Sequence, residues 1–330
     1  MATFENPELC VTLPRQNAHL PNVNSAFVSV ASLDFEVFGG CHMKQRSFFM
    51  AFTARAIFAG ILAICSFAAQ RAAAADLRPE TVKAWNDYIA SREKQIAAEL
   101  DSSKEFLAMD FQDQREAASE RRAVLAGEIS VKRMDSSTGK GGFQVPGGTV
   151  HHWRGGVFIP DVPYEFAMHR IRHPELETSL QEDVLESRVL ERASPDQYRL
   201  FLKLKRHQIV TVIYNTEHLA VFRKHGDDKY SSSSVAVKIA EVERLDGGVE
   251  REKTAGNDRG FLWRMNSYWR YQKVPGGILV ECESITLSRS IPFLLEGLAR
   301  PVINNIAGES MERTLRELRE RIVRASKAGG

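Results

Sequence analysis

The sequence predicts an α+β fold in which a curved antiparallel sheet grips a long C-terminal helix, with an extra helical segment in front. Three observations predict it. Strand-prone runs between Val124 and Leu287 are joined by short turn signals, which makes the sheet antiparallel. A long amphipathic segment, Ser290–Ala325, closes the chain. Residues 79–122 carry helical periodicity instead of strand periodicity.

In chain order, Pro79 suits a first helical turn, and Val82, Trp85, Tyr88, Ile89, Ile96 and Leu100 recur at helical intervals. A second, highly charged helical piece covers about 103–122. Val124–Met134 and Thr149–Ile159 read as strands around a polar, glycine-bearing turn. Pro160-Asp161-Val162-Pro163 reads as a helix start, with Asp161 as cap. Two short helices then fill 162–181, joined at His173-Pro174. Val184–Glu191, Tyr198–Leu204, His207–Phe222 and Tyr230–Val242 read as strands; 245–259 is a charged loop. Gly260–Lys273 and Gly277–Leu287 pair across Val274-Pro275-Gly276-Gly277. In the closing helix Met311, Leu315, Leu318 and Ile322 share one face, and Pro301 and Gly308 are expected to kink or break it. The sheet has one apolar face to cover, and the closing helix is its expected cover.

Ahead of these elements, Met43–Ala75 has the order of an export signal. Lys44, Arg46 and Arg55 form a basic front, Ala56–Ala69 is apolar, and small residues at 72–75 precede Asp76. The apolar stretch is shorter than the roughly 20 residues of a membrane-spanning helix, which places a retained anchor behind a cleaved signal. The expectation is an exported, periplasmic protein starting near Asp76. Residues 1–42 show no periodicity and read as a mis-assigned start or a disordered extension. Cys65 follows the bulky Ile64, which counts against lipid attachment. The resulting organisation is 43–75 signal, 76–122 helical segment and 123–326 sheet-and-helix domain.

Lys and Arg number 44 against 42 Asp and Glu, a net of +2, which argues against nucleic acid as the main partner. Of Cys10, Cys41, Cys65 and Cys282, only Cys282 lies beyond the signal, so the exported part is expected to have no internal disulfide. Within Ile278–Leu287 it reads as a small buried hydrophobe.

The helices at 161–181 between early strands, the hairpin at Pro275-Gly276-Gly277, and the exit Ser284-Ile285-Thr286-Leu287-Ser288-Arg289-Ser290-Ile291-Pro292 into a terminal helix resemble the START-like superfamily. This superfamily is also called SRPBCC, helix-grip or birch-pollen-allergen-like. The resemblance covers about Val124–Val323. The stretch Asp258-Arg259-Gly260-Phe261-Leu262-Trp263-Arg264-Met265-Asn266-Ser267-Tyr268-Trp269-Arg270 resembles a group of exported bacterial members of unassigned function. The resemblance implies a cavity between sheet and helix suited to an apolar or amphipathic, lipid-like molecule, with contact to a membrane surface in reach. It implies no catalytic motif and no cofactor. The leading segment 79–122 lies outside the family pattern.

Candidate ligand-binding residues follow from strand alternation. Arg264, Asn266 and Glu283 are expected to point into the cavity with Glu241 nearby, as a polar floor for a head group, and Trp263 and Trp269 to line it. The competing reading makes the charges cross-strand pairs on a solvated face and the tryptophans plain core. A cyclase- or aromatase-like enzyme would use Glu283 or Glu241 as acid/base, with a raised pKa. An envelope interaction module would use an exposed apolar stripe on the leading helix. No metal site is expected: His151 and His152 point to opposite faces of a strand, His169 and His173 lack a carboxylate motif, and no HExxH or paired-cysteine pattern exists. The serine run Ser231–Ser234 lacks a Gly-x-Ser-x-Gly elbow, and the glycine-rich pieces at 139–142 and 147–148 lack a phosphate-loop ending.

Overall fold

The computed structural model describes residues 77–134, 145–177, 181–207, 211–254, 256–290 and 293–329. The export signal and everything before it lie outside these residues, as does the glycine-rich piece 139–142.

Two helices lead: α1, Pro79–Leu100, and α2, Gln114–Leu125, with a short 3-10 turn at Ala108–Phe111 between them. Helix α2 reaches further than the sequence suggests. It ends where Gly127 takes a left-handed φ of 102° and the amides of Gly127 and Glu128 fold back onto Val124 and Ala123. The strand expected over Val124–Met134 is therefore only β1, Ser130–Arg133.

The other strands are β2 (Gly148–Pro160), β3 (Val184–Ser194), β4 (Gln197–His207), β5 (Thr211–Lys224), β6 (Lys229–Arg244), β7 (Glu250–Glu252), β8 (Arg264–Val274) and β9 (Gly277–Arg289). They form one nine-stranded sheet in the order β1-β2-β9-β8-β6-β5-β4-β3, with β7 on β6. All pairings are antiparallel. Helix α3, Tyr164–Arg172, follows β2; its N-cap is Pro163, while Asp161 takes a left-handed φ of 56° and gives its amide to Gly276. Helix α4, Phe293–Gly329, closes the chain and runs unbroken through Pro301 and Gly308. Gly308 serves packing: a Cβ there would come within 3.2 Å of the Trp153 ring.

The sheet is covered on both faces, not one. On the concave face Met311, Leu315, Leu318 and Ile322 of α4 pack with Val157, Ile159, Val280, Phe222, Tyr230 and Tyr271. On the convex face Trp85, Tyr88, Ile89 and Ile96 of α1 pack on Ile285 and Leu287, and the 3-10 turn with α2 packs on Leu279. The neighbours Gly155 and Gly156 of β2 mark how closely the two covers approach. A Cβ on Gly155 would meet Leu315 of α4 at 2.6 Å, and one on Gly156 would meet Met109 at 2.9 Å from the opposite side. The leading segment is thus integral to the core. The apolar stripe that would have served an interaction module is spent on the sheet.

Candidate functional site

Strand β9 alternates Leu279, Glu281, Glu283, Ile285 and Leu287 toward α1 and α2, and Ile278, Val280 and Cys282 toward α4. Glu283 is therefore on the convex face. Arg92 of α1 grips it through two nitrogens, Nη2 at 2.6 Å, and the His152 ring nitrogen Nε2 lies 2.8 Å away. Since Glu283 accepts, Nε2 carries a proton, and Nδ1 lies 2.6 Å from the Tyr88 hydroxyl. Arg92 also holds Glu99 at 2.9 Å, and Glu99 pairs with Arg270 of β8. Alongside, Glu281 accepts from the amides of Ala108 and Met109 and from Arg154 at 2.9 Å, and Arg154 reaches Glu120 of α2 at 2.9 Å. Burial alone would raise the Glu283 carboxyl, but hydrogen bonds from Arg92 and His152 overcome it and hold it at about 2. For Glu120 burial is likewise overcome, by hydrogen bonds from Lys132, Ser130 and Gln112, and the group sits at about 2. These are interlocking pairs between the leading helices and the sheet, with their lone pairs already engaged.

Three of the residues expected at a cavity floor are thereby relocated. Asn266 bonds Tyr268 at 3.1 Å, and Tyr268 bonds Glu93 of α1 at 2.8 Å. Arg264 shares that convex face and donates to the Trp263 carbonyl. Trp263 precedes β8 and packs with Trp85 and Tyr88, its Nε1 donating to Asp258. The expectation failed because it allowed the sheet one cover: the charged face of β8 and β9 is buried, but under α1. Glu241 does sit on the concave side, opposite Tyr214 in register, yet its oxygens are taken by Lys253 at 2.7 Å and the Arg259 amide at 2.8 Å. Trp269 is the candidate the structure places in the concave cluster.

The concave face carries a polar row that the sequence reading passed over. Tyr214, Thr216 and His218 alternate along β5 on the same face as Ala220 and Phe222, all buried. Ser232 and Ser234 of β6 and Ser267 of β8 adjoin them in register. The period-two pattern Val212, Tyr214, Thr216, His218, Ala220, Phe222 was the available signal. The Tyr214 hydroxyl is buried with no hydrogen-bond partner, and burial together with the nearby Glu241 charge pushes its pKa up. His218 is lowered to about 4, by burial first and the Arg206 charge second, so the imidazole is neutral at neutral pH. His151 and His152 do diverge as alternation requires, one bonding Ser288 and the other Glu283. Among the described residues no group of three or more His, Cys, Asp and Glu side chains is placed to hold a metal.

The chain is similar in fold to solved structures of START-related proteins. Human STARD10 is 12% identical, with 68% of this chain and 84% of that chain covered and a TM-score of 0.40. The STAR-related lipid transfer protein of Xanthomonas axonopodis is 16% identical, covering 57% and 98%, with a TM-score of 0.34. The Zhui aromatase/cyclase of Streptomyces is 12% identical, covering 55% and 99%, with a TM-score of 0.32. No family model and no curated protein sequence matches.

Proposed function

We propose that the protein binds and carries a lipid-like, amphipathic small molecule on the concave face, with the polar end of the ligand at Tyr214. One observation carries this reading: a buried tyrosine hydroxyl without a partner, in a row of neutral polar groups set in an apolar wall. A buried hydroxyl left unpaired costs about 1–3 kcal/mol, which a ligand acceptor would recover. The acid/base alternative loses its main support, because Glu283 is held low and lies under α1. The export signal read at Met43–Ala75 supports a periplasmic setting for this binding, and the cleaved N-terminus would then fall near Asp76.

The test is native mass spectrometry with lipid extraction on protein purified from its own envelope, followed by binding of the recovered compound to Tyr214→Phe. The expected result is a co-purifying apolar compound and a variant that binds it roughly fivefold more weakly, as one neutral hydrogen bond of about 1 kcal/mol requires. A clean mass and no binding across a lipid panel would remove the proposal.

A further inference from the structure

The serine run Ser231–Ser234 is split by the strand. Ser231 bonds His225 at 2.8 Å on the convex side, whereas Ser234 faces the concave row, half-buried. Its Oγ lies 3.4 Å from Nδ1 of His218. The other ring nitrogen, Nε2, lies 3.0 Å from Thr216 Oγ1. Thr216 spends its own proton on the Leu202 carbonyl, also at 3.0 Å. Its oxygen is therefore left as an acceptor, so Nε2 bears the hydrogen and Nδ1 presents a lone pair to Ser234. That is the arrangement of an activated hydroxyl: a nucleophile, a neutral imidazole, and a third group that fixes the tautomer. Directly across from Ser234, Ser267 accepts from Trp269 Nε1 at 3.3 Å, which leaves the Ser267 proton to donate beside the serine.

We propose that Ser234 is an acyl-accepting nucleophile, with His218 as its base, Ser267 as donor to the developing oxyanion, and uncharged esters of lipid-like acids as substrates. Thr216 and Trp269 are positioning residues. In the step, the Ser234 Oγ–carbonyl carbon bond forms and the bond from that carbon to the alcohol oxygen breaks. His218 Nδ1 takes the serine proton and returns it to the departing alkoxide. Water, deprotonated by the same nitrogen, then attacks the acyl carbon; the Ser234 Oγ–carbon bond breaks, the proton passes from His218 to Ser234 Oγ, and the acid leaves. The distance of 3.4 Å is long for proton transfer, as such contacts are before substrate binds. The inference rests on the concave face being the ligand site, and goes beyond carriage.

The experiment incubates the purified full chain with a long-chain alkyl fluorophosphonate, where serine oxygen displaces fluoride from phosphorus, and reads the adduct by intact and peptide mass. Hydrolysis of p-nitrophenyl esters is followed in parallel. The expected adduct is on Ser234, is absent in Ser234→Ala, and forms about a hundredfold more slowly in His218→Gln, the size of a lost general base. In the unsubstituted chain its rate falls as pH drops toward 4, so folding of the variants is not the sole arbiter. Thr216→Val is expected to alter that pH profile, which loss of packing alone would not. An adduct elsewhere, no adduct, or a rate indifferent to His218 and to pH would overturn the proposal. Retained binding of an apolar fluorescent probe in Ser234→Ala separates this failure from failure of the binding site itself.

Discussion

Replacing Glu283 by Gln removes one charge from the centre of the convex network while keeping its shape. Arg92 then faces Glu99 alone, and His152 loses its anionic acceptor. Breaking a buried pair from one side costs about 3–5 kcal/mol. The pH dependence gives a sharper number. The native carboxyl is held at about 2 against an ordinary 4.5, a difference worth about 3 kcal/mol. Because the folded value is the lower one, this stability is present in full above pH 4.5 and drains away as pH falls through 2. Urea denaturation from pH 7 to pH 2 measures it. The unsubstituted chain is expected to lose this increment below pH 4.5, together with a further one from Glu120, and Glu283→Gln to show a curve shallower by about 3 kcal/mol over that range. Parallel curves for the two proteins would refute the reasoning, since the carboxyl would then gain nothing from Arg92 and His152.

Three further outcomes follow from the double cover. Gly155→Ala is expected to destabilise by about 1–3 kcal/mol and Gly156→Ala by less, by thermal melting, because the first drives a methyl into Leu315, Met311 and the Ser130 carbonyl while the second meets the flexible end of Met109. Expression of 126–330, without α1 and α2, is expected to give no cooperative unfolding transition, because it takes Arg92 from Glu283, Glu99 from Arg270, Glu120 from Arg154 and the Ala108 and Met109 amides from Glu281; a native-like near-ultraviolet spectrum would disprove this. Cys282 is expected to resist thiol reagents in the native protein and react at once in urea, since burial pushes its thiol up and packs it under α4.

Local signals carried most of the fold. The Pro275-Gly276 hairpin, the joint at Pro174 and the face of Met311, Leu315, Leu318 and Ile322 all appear where spacing places them. What was illegible is tertiary. Charges on β8 and β9 alternate with apolar residues in a way that fits a solvated face, a cavity floor or a buried interface. Only the arrival of Arg92 and Glu99 from α1, more than 160 residues upstream of their partners, decides among these. Arg264, Asn266 and Glu283 were expected at a cavity floor or on a solvated face, and lie instead on the buried face under α1. The polar row was missed for a related reason: Tyr214, Thr216 and His218 are ordinary strand residues until the strands beside them supply Ser234 and leave the tyrosine hydroxyl alone.

The contact joining Arg92 to Glu283 spans 191 positions of sequence, and that carboxylate sits on the last of the described strands. A chain made from its N-terminus forward therefore produces α1 early but leaves Arg92 and Glu99 in water until β8 and β9 exist. Those hydrated charges keep the waiting segment soluble and give its apolar stripe nothing to close upon. Maturation becomes an all-or-nothing event late in synthesis, with a high-separation contact as its final commitment. A chain lacking β9 would leave Arg92 without Glu283 and the leading helix without its apolar seat on Ile285 and Leu287, so that helix would open first.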